Sequence, residues 1–131
     1  MSVYPQGNSL VTGTIQENIV GALSVSSQQI NSALNLACVN FVHDLPQGLH
    51  TFIGESGYGL SEGQAQRIAI ARAVITDAPV WLFDEPTSAL DDETSALLIE
   101  QLLSEGKNKI LIFVTHDLKL AEYCDTSVYL H

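Results

Sequence analysis

The stretch VWLFDEP, residues 80–86, determines the class of fold that we expect for this chain of 131 residues. Four apolar residues in a row end abruptly in two carboxylates and a proline. A short run that is apolar on both faces is typical of a strand buried inside a parallel sheet. The run ILIFV, residues 110–114, has the same character and ends in Thr-His-Asp. The two runs therefore predict two doubly buried strands of a parallel sheet.

Helical patterns surround these two strands. We expect helices over residues 27–43, 62–77 and 92–105, from apolar spacing and from capping or breaking residues at their ends. A short helix and a final strand at 127–131 would follow. The second half is then a βαβαβ series, which predicts an α/β fold with a parallel sheet, while the first half is mostly helical.

The composition fits one globular domain and argues against nucleic acid and anionic lipid as main partners. Hydrophobic residues make up 46% of the sequence, and the formal net charge is -10 with only five lysines and arginines. So acidic a chain is not expected to bind nucleic acid or anionic lipid as its main partner. The two cysteines lie far apart, so buried free thiols are expected rather than a disulfide. No apolar run approaches the ~20 residues that span a bilayer.

Ionisable residues follow both predicted strands at the point where each strand ends. Asp84 and Glu85 come directly after the first strand, and His116 follows the second. In parallel sheets, polar function gathers at the carboxyl ends of the strands. Aspartate is suited to holding Mg²⁺, a glutamate one residue on can reach a nucleophilic water, and a histidine at the same edge is a candidate phosphate contact. A helix-capping turn and a capping or core histidine are the alternatives.

The stretch LSEGQ, residues 60–64, is a polar start to an otherwise apolar helix. Ser61 and Gln64 have the spacing of a capping box, which predicts that Ser61 caps the helix. Gly63 weakens the first turn by roughly 1 kcal/mol relative to alanine, and the sequence shows no packing benefit in return. A first turn without a side chain lets backbone N–H groups approach an anion, with the helix dipole assisting. We therefore interpret the polar start as a phosphate site.

Taken together, these motifs resemble those of ABC-type ATPase domains. LSEGQ resembles the family's signature motif, VWLFDEP its Walker B strand with the catalytic glutamate, and VTHD (114–117) its switch-histidine loop. SALD (88–91) looks like its D-loop and YPQGN (4–8) is similar to its Q-loop. GTIQENI (13–19) and TFIGESGYGLSEGQ (51–64) look like exporter-type nucleotide-binding domains, whose GESG loop touches the membrane domain. The resemblance covers essentially the whole chain and implies a partial P-loop NTPase core with an ABC-type helical subdomain.

The resemblance implies a role for each motif residue in the intact domain. Glu85 would polarise the attacking water and His116 would contact the γ-phosphate of ATP, so both are expected to be catalytic. Asp84 and Gln6 would place Mg²⁺. The signature residues would close over ATP held by a second nucleotide-binding domain in a head-to-tail dimer, and the D-loop aspartate would couple the two sites. The expected nucleotide-binding residues are Gln6, Leu60, Ser61, Glu62, Gly63, Gln64 and Asp91.

The family's Gly-rich P-loop, G-x-x-x-x-G-K-[S/T], has no match in the 131 residues. We therefore expect residues 1–131 to be a truncated nucleotide-binding domain. About 13–78 would form the helical subdomain, and 1–12 with 79–131 would form part of the α/β ATPase core. This fragment alone is expected to hold neither ATP nor Mg²⁺ tightly and to be inactive.

The leading hypothesis is a part of the ATP-hydrolysing subunit of an exporter, at the cytoplasmic side of the cell membrane, with a transmembrane domain as its partner. An ABC-type ATPase of DNA repair or chromosome maintenance and a non-catalytic interaction module are the alternatives. In the family's sheet, the P-loop strand lies beside the strand that matches 110–114. Its absence would leave an unpaired strand edge, which predicts self-association of the fragment.

Overall fold

A computed structural model describes residues 2–3, 10–54 and 59–129 of the chain. Five strands lie in these ranges: β1 (Ser2–Val3), β2 (Gly13–Thr14), β3 (Phe52–Ile53), β4 (Val80–Asp84) and β5 (Ile110–Val114). The same ranges hold the α-helices α1 (Ile15–Val20), α2 (Ser27–Leu36), α3 (Glu62–Val74), α4 (Asp92–Glu105) and α5 (Leu118–Ala121). Two 3₁₀ helices, Asn40–Asp44 and Gly48–His50, connect α2 to β3.

The central strand β4 belongs to a parallel three-stranded sheet with the order β1-β4-β5. Val80 pairs with Ile110 and Asp84 pairs with Val114, so β4 and β5 are in register over their full length. The two strands therefore end at the same edge of the sheet. β2 and β3 form a separate antiparallel pair. Both apolar runs are strands, and the predicted α/β fold with a parallel sheet is confirmed.

Only one face of β5 packs on the core in the described part of the chain. Leu111 and Phe113 contact the hydrophobic cluster that includes Trp81 and Phe83 of β4 and buried residues of α4. On the other face, three side chains are 62%, 44% and 51% exposed: Ile110, Ile112 and Val114. The prediction that β5 is buried on both faces is therefore wrong here. The sequence pattern reflects the apolar character of a strand but not whether a neighbouring element covers each face.

α2 ends at Leu36, so the predicted single helix over 27–43 is wrong. Cys38 has a φ of 59°, in the left-handed region. The N–H of Val39 donates to the carbonyl of Leu34 at 2.8 Å, and the N–H of Cys38 donates to that of Asn35 at 3.2 Å. These two bonds form a Schellman motif, which terminates a helix by satisfying its last carbonyls. The apolar residues beyond it continue in the 3₁₀ helix Asn40–Asp44.

α3 also ends before the predicted residue 77, at Val74. Asp77 has a φ of 53°, and a residue in the left-handed region does not continue an α-helix. The Asp77 carboxylate accepts a hydrogen bond from Lys109 Nζ at 2.8 Å. The same ammonium group lies 5.1 Å from the ring centroid of Trp81, whose indole N–H has no hydrogen-bond partner among the described residues.

The last third of the chain agrees with the sequence up to α5. α4 spans Asp92–Glu105 with Gly106 as its C-cap, as predicted. Residues 127–129 have no regular secondary structure. The predicted final strand at 127–131 is therefore absent over these three residues, and residues 130–131 lie outside the described ranges.

Both cysteines are free thiols, as expected. Cys38 is buried and burial raises the pKa of its thiol. Cys124 is half-buried, and burial is also the main cause that raises its pKa. Both thiols therefore stay protonated at neutral pH and are poor nucleophiles.

α3 lies at the centre of the molecule. It contacts α1, α2, β1 and β4, and its buried residues join one hydrophobic cluster with those of the other elements. This packing fixes the polar start of α3 relative to the ends of the central strands. No helix among the described residues is long and apolar enough to cross a membrane.

Candidate functional site

The backbone of Glu85 joins the ends of β4 and β5. Its N–H donates to the carbonyl of Val114 at 2.7 Å, which extends the ladder between the strands by one bond. Its φ is 50°. A non-glycine residue in the left-handed region is uncommon, and such residues cluster at functional sites. The turn after β4 is therefore a specific backbone arrangement rather than a simple strand end.

The carboxylate of Glu85 is held by the loop that follows β5. The backbone N–H of His116 donates to Glu85 Oε1 at 2.8 Å, and the hydroxyl of Thr115 donates to Oε2 at 3.3 Å. The imidazole Nε2 of His116 lies 3.8 Å from Oε1, and its side chain is fully exposed. The structure thus brings together two of the predicted site residues, Glu85 and His116, at the carboxyl edge of the sheet.

Asp84 ends β4 and is half-buried. Its carboxylate makes no hydrogen bond to the residues that the structure describes, so its oxygens remain free to bind a cation. Mg²⁺ is usually held by one or two carboxylates together with waters and substrate phosphates. The donor set at this edge fits that requirement. Within the described ranges, no group of three or more His, Cys, Asp or Glu residues forms a metal cage.

The start of α3 has the predicted capping box. Ser61 Oγ accepts from the N–H of Gln64 at 3.1 Å, and Gln64 Oε1 accepts from the N–H of Ser61 at 3.0 Å. Ser61 and Glu62 are exposed, while Leu60 and Gln64 are half-buried. The polar start of the helix is thus accessible and locally ordered.

Gly63 has a packing role that the sequence did not reveal. A Cβ at this position would lie 2.7 Å from the carbonyl oxygen of Ala89 and 3.2 Å from Cδ2 of Leu90. Real Cβ atoms do not approach backbone this closely, so the residue must be glycine for α3 to pack against residues 88–91. The sequence does not reveal this packing benefit, because the contact joins residues far apart along the chain. Gly63 therefore gives no independent support for the phosphate interpretation.

Asp91 begins α4 as its N-cap. Its Oδ1 accepts from the N–H of Thr94 at 2.7 Å, and this hydrogen bond is the main cause that lowers the pKa of the Asp91 carboxyl below its usual value. Since Gly63 packs against Ala89 and Leu90, the loop that leads into α4 is fixed against the start of α3. The structure therefore places Asp91 next to the LSEGQ stretch.

Gln66 is a site residue that the sequence reasoning missed. It is buried, with 8% exposure. Its Nε2 donates to the carbonyl of Glu85 at 2.6 Å and to Ser88 Oγ at 3.2 Å, and its Oε1 accepts from the N–H of Ala89 at 3.4 Å. The available signal was an uncharged polar residue on a helix whose other residues after the first turn are apolar except for Arg67 and Arg72.

Arg67 connects α3 to the end of α2. Its guanidinium donates to the carbonyls of Gly63 and Cys38, each at 3.1 Å, and lies 5.0 Å from the ring centroid of Phe41. Burial is the main cause that lowers the pKa of Arg67, although an arginine remains charged at neutral pH. This side chain joins the start of α3 to the end of α2 within the predicted helical part of the chain.

Two of the predicted features cannot be placed. Gln6 and the rest of the YPQGN stretch lie outside the described residues, and so do residues 55–58 of the GESG region. The remaining predicted residues form two groups: Asp84, Glu85 and His116 at the sheet edge, and residues 60–64 with Asp91 at the start of α3. Gln66 bridges the two groups.

The fold and this site place the chain among α/β proteins whose polar site lies at the carboxyl ends of parallel strands. The ABC transporter family model matches residues 1–88, and the chain belongs to the ABC transporter family. A solved bacterial Atm1-family ABC exporter with ATP bound superposes with a TM-score of 0.86 at 35% identity, covering 91% of this chain and 21% of that one.

Curated relatives agree with this family. P-glycoprotein 14 of Caenorhabditis elegans is 42% identical over 132 residues, which cover 99% of this chain and 10% of that protein. An ATP-dependent lipid A-core flippase of Vibrio cholerae is 42% identical over 127 residues, which cover 95% of this chain and 22% of the flippase. The chain thus spans between a tenth and a quarter of the length of these relatives.

Proposed function

We propose that residues 1–131 are part of the ATP-binding and ATP-hydrolysing domain of an ABC exporter, in which hydrolysis drives transport through a transmembrane domain. The observation that carries this proposal is the contact between Glu85 and the His116 loop at the carboxyl edge of the sheet. A carboxylate and an imidazole at the ends of neighbouring parallel strands can act on one bound ligand. The family and the names of the relatives favour transport over a role in DNA repair or chromosome maintenance.

In this proposal Glu85 is the general base that orients and polarises the water attacking the γ-phosphate of ATP. His116 contacts the γ-phosphate through its exposed imidazole. Asp84, together with Gln6, holds Mg²⁺, and bound Mg²⁺ neutralises charge on the phosphate oxygens. Among the described residues, the Asp84 carboxylate makes no hydrogen bond and the Glu85 carboxylate is held by the 115–116 loop. This difference supports the division of roles.

The start of α3 faces a second nucleotide-binding domain in the proposed head-to-tail dimer. Its residues 60–64 bind the phosphates of ATP held by that partner, where the helix dipole favours an anion. Asp91 couples the two nucleotide sites through the loop that packs on Gly63. The exposure of Ser61 and Glu62 supports this assignment.

The polypeptide of 131 residues is proposed to be inactive by itself, because much of the affinity for ATP in P-loop proteins comes from the P-loop backbone and its lysine. Residues 13–78 form the proposed helical subdomain, and residues 1–12 with 79–131 contribute to the ATPase core. The domain is proposed to work at the cytoplasmic side of the cell membrane, in contact with the transmembrane domain.

The same polypeptide is proposed to self-associate through β5. Within the described sheet β5 pairs only with β4, so its second edge is free, and the adjacent apolar face is exposed. Such an edge is a template for pairing with a second copy. The formal charge of -10 keeps the assembly dissolved, so a discrete dimer is expected rather than a precipitate.

The catalytic proposal is tested in a chimaera that supplies a P-loop. The upstream part of the nucleotide-binding domain of the Vibrio cholerae flippase is joined to residues 1–131, and phosphate release is measured with ATP and Mg²⁺. Glu85→Gln should lower kcat roughly 100-fold or more, as expected for loss of a general base, while ATP binding is retained. Glu100→Gln, an exposed carboxylate on α4, is the matched control and should keep the activity of the parent.

Two results would contradict the proposal. Full turnover in the Glu85→Gln chimaera would remove Glu85 from the chemistry. A folded chimaera that binds ATP but never hydrolyses it would favour the non-catalytic interaction module. The unmodified chain of 131 residues should release no phosphate above background, and release that is lost in its Glu85→Gln variant would show that the P-loop is not needed.

A further inference from the structure

Gln66 uses its whole amide group to hold the turn that follows β4. The Nε2 atom donates to the carbonyl of Glu85 at 2.6 Å and to Ser88 Oγ at 3.2 Å, while Oε1 accepts from the N–H of Ala89 at 3.4 Å. A buried polar side chain is costly unless its hydrogen bonds are satisfied. Gln66 meets that requirement only if residues 85–89 keep this conformation, so the amide and the turn stabilise each other.

Hydrogen bonds hold the backbone of Glu85 on both sides of its Cα. Its N–H donates to Val114 and its carbonyl accepts from Gln66, and these bonds fix the two peptide groups that flank its Cα. The φ of 50° is unfavourable for a glutamate, so the conformation persists only where the surroundings impose it. The orientation of these two peptide groups sets the direction of the Cα–Cβ bond of Glu85. The hydrogen bond from Gln66 therefore also helps to set the direction in which the Glu85 side chain leaves the backbone.

We propose that Gln66 is a positioning residue for Glu85, which keeps the catalytic carboxylate aligned with the 115–116 loop. This inference rests on the proposed role of Glu85 as general base. Gln66 lies on the same helix as Ser61, little more than one turn further along. It therefore connects the start of α3, which faces the partner's nucleotide, to the carboxylate that acts on the nucleotide of its own domain.

Two substitutions separate the hydrogen bonds of Gln66 from its packing. Gln66→Leu introduces an apolar side chain of similar volume and removes every hydrogen bond. Gln66→Glu retains the acceptor for the N–H of Ala89 but places a carboxylate oxygen against the carbonyl of Glu85, where a donor is needed. Gln101→Leu is the matched control, because Gln101 is a half-buried amide on α4 whose amide donates instead to Cys38 Sγ at 3.7 Å.

The first measurement is amide hydrogen exchange by NMR on the chain of 131 residues. Gln66→Leu should accelerate exchange of the Ala89 N–H, which loses its acceptor, by roughly 10-fold, the effect expected for one lost hydrogen bond. Exchange in the centre of α3 and in the rest of β4 should remain as in the parent. Gln101→Leu should leave Glu85 and Ala89 unchanged.

The second measurement is ATP turnover in the flippase chimaera. Both Gln66 variants should lower kcat roughly 10- to 100-fold, as a displaced catalytic group does, with KM for ATP within about twofold of the parent. The double variant Gln66→Leu with Glu85→Gln should be no slower than Glu85→Gln alone, because a residue that acts only through Glu85 has no effect once Glu85 is replaced. Gln101→Leu should match the parent in both constants.

The outcomes separate this inference from the proposed function. An active Glu85→Gln chimaera overturns the proposed function itself. An inactive Glu85→Gln chimaera with kcat preserved in Gln66→Leu overturns the positioning role alone, as does a further loss in the double variant. If Gln66→Leu unfolds at a lower temperature than the parent, the test rests on Gln66→Glu. The positioning role then requires that kcat of the Gln66→Glu chimaera falls by the same factor.

Discussion

At the scale of single residues, Gly63 is fixed by a long-range contact. We expect Gly63→Ala to destabilise the chain even though alanine favours a helix by about 1 kcal/mol over glycine. The new Cβ would lie 2.7 Å from the carbonyl oxygen of Ala89, and overpacking against backbone costs about 1–3 kcal/mol. The packing penalty therefore exceeds the gain in helix propensity, and the free energy of unfolding measured in urea should fall by up to about 2 kcal/mol.

The neighbouring position provides the control for this prediction. Glu62→Ala changes an exposed residue of the same turn and should alter the free energy of unfolding by less than about 0.5 kcal/mol. A Gly63→Ala variant more stable than the parent would show that residues 88–91 move aside freely.

Asp91 makes the start of α4 sensitive to acid. The hydrogen bond from Thr94 lowers the pKa of the folded-state carboxyl, so the ionised form is favoured by folding. This stabilisation is fully present above the ordinary aspartate pKa of about 3.9 and is lost as the pH falls from there through the lower folded-state pKa. We expect an NMR titration to show Asp91 protonating below that value, with the Thr94 amide signal shifting in the same pH range.

Asp91→Asn is the control for the acid response, because asparagine also caps helices but does not titrate. The Thr94 amide signal of this variant should lack the transition. A titration of Asp91 at or above the ordinary aspartate pKa would contradict the assigned cause.

Local interactions at residue scale were predictable from the sequence, and long-range ones were not. The capping box of Ser61 and Gln64 involves residues three apart, so spacing alone reveals it. The contacts of Gly63 with Ala89 and of Gln66 with Glu85 depend on how α3 lies against the sheet edge. No local pattern encodes that arrangement.

At the scale of elements, Arg67 fastens α3 to the turn that ends α2. We expect Arg67→Lys to destabilise the chain by about 1–3 kcal/mol, because one ammonium cannot reproduce the hydrogen bonds to both the Gly63 and Cys38 carbonyls while stacking on Phe41. Chemical unfolding of Arg67→Lys, Phe41→Leu and the double variant should give a coupling energy of about 0.5–2 kcal/mol between the two side chains.

A small effect of these substitutions on the free energy of unfolding would contradict the proposed contact between α3 and the end of α2. If Arg67→Lys unfolds within about 0.5 kcal/mol of the parent, the guanidinium does not hold the turn. If the two substitutions are additive, the stacking on Phe41 contributes nothing.

How well the sequence predicts the bounds of a helix or strand depends on whether local residues determine its ends. The bounds predicted for α4 agree with the observed ones because its apolar residues recur four apart and Gly106 is a local stop signal. α2 was predicted too long because its end depends on the left-handed conformation of Cys38, and cysteine carries no strong signal for that conformation. The strands were found from their apolar runs, but the exposure of one face of β5 depends on what lies beside it.

At the scale of the whole molecule, we expect the chain of 131 residues to be a dimer at micromolar concentration. Among the described strands, one edge of β5 has no pairing partner, and a second copy would cover this edge and the exposed face beside it. Ile112→Lys places a charge on this face and should shift the molar mass from light scattering behind a sizing column to that of a monomer. Leu23→Lys is the matched control, since Leu23 is 45% exposed and Ile112 is 44% exposed, and it should remain a dimer.

A monomeric parent would overturn the prediction of self-association. Slow amide exchange over residues 110–114 in that monomer would mean that another part of the same chain covers the strand edge. A dimer that survives Ile112→Lys would place the interface elsewhere.

The single tryptophan of the chain gives the central strand its own optical signal. Trp81 is buried in β4, its indole N–H lacks a partner among the described residues, and the ammonium of Lys109 lies over its ring. A buried indole fluoresces at shorter wavelength than one in water, so the emission of Trp81 reports on this strand without any added label. The strand leads directly into Asp84 and Glu85. The emission wavelength of Trp81 therefore reports whether the strand that supports the site is folded.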